Sequence, residues 1–483
     1  MNFRLILYLV AVLVFYIGLS MTAPLLVALY YGDGGAHAFL LSLIATCGLG
    51  GGALLWSRGQ EDYALNHRDG VAIVALGWIS AGLVATLPYL LSGTIPDFTD
   101  AYFECISGFT TTGASILKDV ERLPRGILFW RAQTQWLGGM GIIVLSIAIL
   151  PFLGVGGMQL YKAETPSPVV DKLTPRISDT ARTLWKIYLF LTVMQIALLL
   201  FGGLSWFDSV CHAFATMPTG GFSTNNASVG HYHSSYVESV VIGFMFIAGI
   251  NFSLHYKLVH GRLREFIRDP EFRAYLLITG TFILIVVLDV YGGKIYPTVF
   301  EAFRHATFSV VSLLTTTGFV TADFEAWPAL SQQVLLLCMF LGGMAGSTGG
   351  GIKILRVVLL DKHCYLEILR IIHPHAVTVV KLGRTPVPQT VMRSIWGFFM
   401  LYVGIFILAA MALAALGMDV MSSISGAAAC LGNVGPGLGS IGPMDNFSGV
   451  PPAGKWILIA CMLLGRLEIY TIIVLLMPGF WRK

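Results

Sequence analysis

The chain alternates long apolar runs with short ones. About ten runs are long enough to cross a bilayer as a helix, which takes about 20 apolar residues. They lie at residues 5–30, 36–56, 70–92, 127–152, 185–205, 237–256, 274–292, 331–359, 394–417 and 454–478. Four further apolar runs, at 100–111, 208–217, 300–316 and 421–432, are too short to cross. Runs of that length are typical of re-entrant segments. The pattern therefore predicts an all-α integral membrane protein.

From residue 70 onward the runs repeat one order. A span is followed by a short helix, a glycine-containing loop and a second span, four times over. Gly113, Gly221, Gly318 and Gly435 align in the loops, whose sequences are TTTGAS, PTGGFS, TTTGFV and GNVGPG. Repetition at a fixed interval indicates one structural unit used several times. The predicted units are two N-terminal transmembrane helices (1–60) and four pore repeats (61–160, 161–262, 263–375 and 376–483).

Charge supports this topology. With the N-terminus inside, the predicted inner segments hold 22 of the 30 Lys and Arg residues, and the four glycine loops all lie on the outer half of the membrane. Composition agrees, since 56% of residues are apolar, 12% are charged, the mean hydropathy is +0.76 and the net charge is only +4. No basic run indicates nucleic acid. The seven scattered cysteines, with no CxxC pair, indicate neither a disulfide framework nor a zinc site.

Non-helical backbone at membrane depth is stable only where it is buried or lines a wet cavity. A pore that dehydrates an alkali cation replaces the lost water with backbone carbonyl and hydroxyl oxygens, and glycine reaches the positive φ that turning successive carbonyls to one axis requires. A single TTTG could merely end a helix, but four aligned copies predict a selectivity filter. The candidate K⁺-coordinating or loop-bracing residues are Thr111, Thr112, Gly113, Thr219, Gly220, Gly221, Thr316, Thr317, Gly318, Asn433, Val434 and Gly435.

A second feature is the segment GGMAGSTGGGIK at residues 342–353, which interrupts an apolar span. It fails the phosphate-loop pattern because Ile352 precedes Lys353 and no hydroxyl residue follows. Its small residues could simply allow close helix packing. The alternative is a broken helix that obstructs the pore and moves to open it. The candidate gate residues are Gly346, Ser347, Thr348, Gly349, Gly350, Gly351, Lys353 and Arg466. Arg466 is an intramembrane charge that either pairs with a carboxylate or stands near the pore.

At these residues the sequence resembles the Trk/Ktr/HKT superfamily of potassium transport proteins, and within it the TrkH-like subunits of the bacterial Trk uptake system. The resemblance covers essentially the whole chain. It rests on the four loop sequences, on GGMAGSTGGGIK and on Gly-Arg-Leu-Glu at 465–468. It implies four M1-P-M2 units arranged like a potassium channel, a gating loop at 342–353 and a functional arginine at Arg466. In the relatives serine at the first filter position accompanies Na⁺ preference, so Gly113 favours K⁺. Pro218, Gly220 and the threonine-free fourth loop depart from the pattern.

The resemblance further implies location in the bacterial inner membrane, a homodimer, and a cytosolic TrkA-like ring that binds NAD(H) and ATP. The basic segments near 162–186, 257–273 and 353–393 either dock that ring or only set topology. We expect K⁺ as the transported ion, no prosthetic group and no enzyme activity, since no nucleophile–base pair appears. The alternative is a symporter that couples K⁺ to H⁺ or Na⁺. That mechanism normally uses ionisable groups at the midplane, and the four loops contain no acidic residue.

Overall fold

The computed structural model describes residues 1–57, 67–148, 177–375, 378–383 and 385–481, and the described part is mostly helical. In chain order the helices are α1 Phe3–Ser20, α2 Thr22–Tyr31, α3 Ala36–Trp56, α4 His67–Ala85, α5 Leu87–Leu91, α6 Phe98–Phe109, α7 Arg125–Ala148, α8 Ile177–Phe201, α9 Trp206–Thr216, α10 Ser235–Ala248, α11 Phe252–Val259, α12 Leu263–Arg268, α13 Pro270–Gly292, α14 Val299–Leu314, α15 Ala329–Phe340, α16 Ile354–Ile372, α17 Gln389–Ala415, α18 Val420–Gly432, α19 Pro452–Arg466, α20 Tyr470–Leu476 and α21 Pro478–Trp481. A two-stranded antiparallel hairpin, β1 Lys381–Leu382 and β2 Thr385–Pro386, precedes α17.

The chain is a multi-pass membrane protein. Among the described residues six helical segments are long and apolar enough to cross a bilayer, and the number is eight if two bent pairs each count as one span. Their outer faces are apolar and exposed. On α13, for example, Leu276, Leu277, Leu284 and Leu288 all lie on the surface. A helix of a soluble protein exposes mainly polar residues, whereas this row of exposed leucines fits a helix that faces lipid.

The four short apolar runs form α6, α9, α14 and α18, close to their predicted bounds. Each begins at a polar residue that accepts the N–H three positions on: Asp97, Ser205, Thr298 and Asp419. Such caps satisfy donors that the helix start would otherwise leave open. More than half of the residues in each of these helices are buried, and every residue from 101 to 109 in α6 is buried. They therefore form the centre around which the longer helices pack.

Two predicted spans differ from a simple apolar helix, one by its buried polar side chains and one by a break. The helix α7 carries Arg131, Gln133 and Gln135 in its middle, and these side chains are buried against other elements rather than exposed to lipid. The predicted span at 331–359 is divided into α15 and α16 by residues 341–353, as the broken-helix hypothesis requires.

Two other breaks were missed from the sequence. The chain bends by 102° between α10 and α11, and by 118° between α19 and α20. At the second break, Glu468 (φ 60°) and Ile469 (φ 38°) leave the helical region. A β-branched residue at positive φ is rare, since its side chain crowds the backbone, so no sequence pattern indicates this turn.

Some predictions concern residues outside the described ranges. These are the domain boundaries at 60, 160 and 376, the last residues of the predicted span 127–152, and the basic segment 162–176. The division into domains stays a prediction.

Candidate cation pathway

The four glycine loops are numbered 1 to 4 in chain order, so that they contain Gly113, Gly221, Gly318 and Gly435 respectively. All four leave their short helices in the same way. The first left-handed residue donates its N–H to the carbonyl three positions back, and the next residue donates its N–H to the carbonyl five positions back. The second bond measures 2.9 Å in loop 1 and 2.8 Å in the other three loops. This pair of bonds is the Schellman motif, which satisfies the last carbonyls of a helix. Its left-handed residues are Thr111 (φ 52°), Thr219 (59°), Thr316 (59°) and Asn433 (55°).

The aligned glycine follows two residues later and is also left-handed. The φ angles are 83° at Gly113, 77° at Gly221, 79° at Gly318 and 103° at Gly435. Two left-handed residues so close together redirect the backbone carbonyls, and only glycine enters this region without steric cost. The sequence predicted the second of these positions and missed the first, because threonine is seldom left-handed.

The loops contact one another in a closed ring. A Cβ built on each aligned glycine would press against the carbonyl oxygen of the preceding residue in a neighbouring loop. The pairs are Gly113 with Gly220, Gly221 with Thr317, Gly318 with Val434, and Gly435 with Thr112. Four loops from four distant parts of the chain therefore meet in one ring, in which each aligned glycine lies against a carbonyl of a neighbouring loop.

Side chains brace the ring differently from loop to loop. In loops 1 and 3 the hydroxyls of Thr112 and Thr317 lie 2.8 Å from those of Thr110 and Thr315. In loop 4 the Asn433 amide donates to Thr112 Oγ1 and to the Met462 carbonyl, both at 3.0 Å. Asn433 thus links loop 4 to loop 1 and to the last long helix.

A buried ion pair connects loops 1 and 2 behind the ring. Arg131 donates to Glu104 at 2.8 Å, to the Ser223 carbonyl at 3.2 Å and to Ser115 Oγ at 3.2 Å. Glu104 also accepts from Ser115 and from the Ile116 N–H at 3.0 Å. Removing one member would leave an uncompensated buried charge, at a cost of about 3–5 kcal/mol.

The segment 341–353, here called the gate loop, lies directly against the ring. The Gly350 N–H donates to Thr316 Oγ1 at 2.7 Å, and a Cβ on Gly350 would lie 2.9 Å from Asn433 Cβ. Thr348 Oγ1 bonds the carbonyls of Met217 at 3.0 Å and Ala248 at 3.2 Å. The gate loop therefore touches loops 2, 3 and 4 at their helix ends.

The other predicted gate residues complete this loop. The Gly346 carbonyl accepts from the Phe252 N–H at 3.1 Å, and Ser347 Oγ bonds the Met344 carbonyl at 2.7 Å. Gly351 is left-handed, with φ 64°. Lys353, almost wholly buried, bonds the carbonyl of Gly349. Its amine therefore stays within the loop.

Arg466 projects from the end of α19 onto the gate loop. Its Nη1 donates to the Thr348 carbonyl at 2.6 Å. Its Nε and Nη2 have no partner among the described residues, although the side chain is buried. The nearby carboxylate, Glu468, pairs instead with Arg356 at 2.5 Å. Among the described residues Arg466 forms no carboxylate pair, and its role near the pore stays a prediction.

Glu271, at the start of α13, was missed by sequence analysis. One of its carboxylate oxygens accepts the Ala345 N–H at 2.6 Å and the Leu355 N–H at 3.2 Å. It therefore ties together the two ends of the gate loop. An acidic residue in the first turn of a helix usually offsets the helix dipole, so nothing in the sequence set Glu271 apart.

Outside the ring, Glu325 joins the segments that follow loops 3 and 4 by accepting the Gly439 N–H. Burial raises the pKa of Glu325, and Asp323 and Asp445 act in the same direction against the Gly439 bond. No group of three His, Cys, Asp or Glu side chains among the described residues could hold a metal ion.

The family model of TrkH cation transport proteins matches residues 36–482. The chain belongs to this family. It is 44% identical to the Trk system potassium uptake protein TrkH of Escherichia coli K12 and 43% identical to that of Halomonas elongata, and each match covers 100% of both chains. The crystal structure of the potassium transporter TrkH from Vibrio parahaemolyticus superposes with a TM-score of 0.91 at 40% identity and covers 100% of both chains.

Membership confirms the resemblance drawn from the loops, and it confirms a multi-pass inner-membrane transport protein. It also agrees with the helical membrane fold predicted from the apolar runs. The names of the TrkH relatives describe transport proteins.

Proposed function

We propose that the chain takes up potassium ions through a gated, channel-like pore formed by four M1-P-M2 repeats, with the glycine-loop ring as its selectivity filter. The observation that carries the proposal is the ring itself, in which four loops each press an aligned glycine against a neighbour's carbonyl. Such a ring offers uncharged oxygens to a dehydrated cation. The TrkH relatives are named as potassium uptake proteins, which supports K⁺ as the ion.

We propose that the gate loop closes this pore. It contacts the helix ends of loops 2, 3 and 4, and Arg466 and Lys353 both bond its backbone. Two cationic side chains beside the path would oppose cation entry while the loop is in place. The homodimer and the cytosolic nucleotide-binding ring also remain part of the proposal, supported by the name of the Trk system, which implies further subunits.

Flux of K⁺, Rb⁺ and Na⁺ into liposomes containing the purified chain tests the filter, with Gly113→Ser as the variant. Gly113 is left-handed and lies against Gly220, so a side chain there disturbs the ring. We expect uptake that favours K⁺ and Rb⁺ in the wild type and relaxes toward Na⁺ in the variant. The control is Gly280→Ala in α13, where a Cβ meets no atom within 4 Å. Selectivity unchanged by Gly113→Ser would contradict the proposal.

The second candidate is symport of K⁺ with H⁺ or Na⁺. Buried Glu271, which bonds the gate loop, is the observation among the described residues that favours it, because a titratable group in contact with a moving element could couple two ions. Single-molecule currents separate the two candidates, since a coupled carrier cannot reach the flux of a channel.

A further inference from the structure

Loop 2 lacks a side chain where loops 1 and 3 have a threonine. The residue before the aligned glycine is Thr112 in loop 1, Thr317 in loop 3 and Gly220 in loop 2. Gly220 is not among the left-handed glycines, so its backbone conformation does not require glycine. Its missing side chain needs a different explanation.

The explanation is Gln135 of α7. A Cβ built on Gly220 would lie 2.5 Å from Gln135 Cδ and 2.7 Å from both Nε2 and Oε1. The Gln135 side chain is wholly buried and occupies the space that a side chain at position 220 would need. A side chain from the neighbouring helix α7 therefore supports loop 2 in place of a side chain of the loop itself.

The carboxamide of Gln135 bonds the backbone on both sides of Gly221. Its Nε2 donates to the Gly220 carbonyl at 2.6 Å, and its Oε1 accepts the Phe222 N–H at 3.1 Å. The second distance lies within the usual 2.7–3.2 Å of N–H···O bonds, and the first is slightly shorter. Two bonds from one rigid amide fix the orientation of the peptide units around the aligned glycine.

The Gly220 carbonyl is one of the four in the ring, and it differs from the other three. In the described part of the chain, the carbonyl oxygens of Thr112, Thr317 and Val434 accept no hydrogen bond. An N–H donor holds the Gly220 oxygen in place and draws electron density from it. A cation in the ring therefore meets three adjustable carbonyls and one that is held.

We propose that Gln135 is a specificity-determining positioning residue, whose carboxamide holds the Gly220 carbonyl and thereby sets the preference of the ring among alkali cations. Selectivity depends on the number, spacing and field strength of the coordinating carbonyls, all of which this bond affects. The inference rests on the proposed filter. It adds a residue outside the four loops to the groups that determine which ion passes.

The first test replaces Gln135 with methionine, which keeps the volume and removes both hydrogen bonds. Two readouts are measured on the full-length protein: alkali-cation flux in liposomes, and the K⁺ concentration that half-maximally raises the melting temperature of detergent-purified protein. The melting-temperature readout reports K⁺ binding even when the gate is closed. We expect the half-maximal K⁺ concentration and the Na⁺-to-K⁺ flux ratio to rise about three- to tenfold, as loss of the one bond to the ring carbonyl, that of Gly220, implies.

The matched control is Gln133→Met. Gln133 lies two residues away on α7, is also buried, and donates to the Ser20 carbonyl rather than to a loop. It reports the loss of any buried glutamine from this helix. We expect its K⁺ dependence and flux ratio to equal those of the wild type, even if its melting temperature falls.

The second test uses complementary volumes. Gly220→Ala alone should abolish K⁺ stabilisation because the new Cβ overlaps the Gln135 carboxamide, and the double variant Gln135→Ala with Gly220→Ala should regain stabilisation with altered selectivity. A Gln135→Met protein with wild-type K⁺ dependence and flux ratio overturns the inference, as does a Gly220→Ala effect that Gln135→Ala does not relieve. If Gly113→Ser alters selectivity while these variants do not, only the role of Gln135 fails. If none alters it, the filter fails too.

Discussion

The four glycine loops of the proposed filter, here called filter loops, and the proposed gate loop all contain glycine and are non-helical and largely buried, yet the two kinds of loop are held in opposite ways. Each filter loop closes onto its own short helix through the same two backbone bonds. The gate loop has backbone bonds too, but much of its support comes from the side chains of distant elements: Thr316, Glu271 and Arg466. The backbone bonds of a filter loop are local, so they form when the short helix before that loop forms.

This difference indicates which loop can move. A filter loop cannot leave its position without unwinding the end of a buried helix. The gate loop can exchange its side-chain bonds one at a time, because each contributes only about 0.5–1.5 kcal/mol net, or about 1.5–3 kcal/mol where one partner is charged. A segment held by several weak, separate contacts is suited to a two-state switch. The contrast leads to three predictions, in descending order of effect.

The largest effect is expected from Gly318→Ala in the filter. The added Cβ occupies a left-handed position, which costs about 1–2 kcal/mol, and it also overlaps the Val434 carbonyl. We expect loss of K⁺-selective uptake by more than about tenfold. Liposome flux measures it.

The matched control for this substitution is Gly404→Ala in α17, where a Cβ meets no atom within 4 Å. It should transport like the wild type. Wild-type uptake in Gly318→Ala would mean that the ring tolerates a side chain, and that the filter loops are as adaptable as the gate loop.

A gain of flux is expected from Glu271→Leu in the gate loop's support. The change leaves the N–H groups of Ala345 and Leu355 without an acceptor, at a cost of about 1–3 kcal/mol each. If the closed arrangement bears this cost, basal flux without any partner protein rises about tenfold or more, since 1.4 kcal/mol is a factor of ten. Glu271→Gln keeps an acceptor oxygen, so its basal flux should lie between that of the wild type and that of Glu271→Leu.

Exposed Glu265 in α12 provides the control for charge, as Glu265→Leu removes a carboxylate outside the gate loop. Its basal flux should not change. Equal or lower basal flux in Glu271→Leu would show that the carboxylate does not favour the closed position.

How much was predictable follows the same division. The short helices, the aligned glycines and the interruption at 342–353 depend on local composition, and the sequence indicated all of them. Gln135 and Glu271 act on segments 85 and 74 residues away, so their partners follow only from the packed structure. The left-handed Thr111 and Ile469 were missed because their conformations run against residue preference and are imposed by packing.

The smallest effect is expected from Thr348→Val in the gate loop. The substitution keeps the shape of the side chain and removes the hydroxyl that bonds the Met217 and Ala248 carbonyls. The loss of about 0.5–1.5 kcal/mol predicts a two- to tenfold rise in basal flux. Its control is Thr279→Val in α13, which is also buried but bonds only its own helix, at the Tyr275 carbonyl. Equal basal flux in both variants would mean that the Thr348 hydroxyl adds nothing to the closed state. This part of the loop would then be held by Arg466, which bonds the Thr348 carbonyl rather than its hydroxyl.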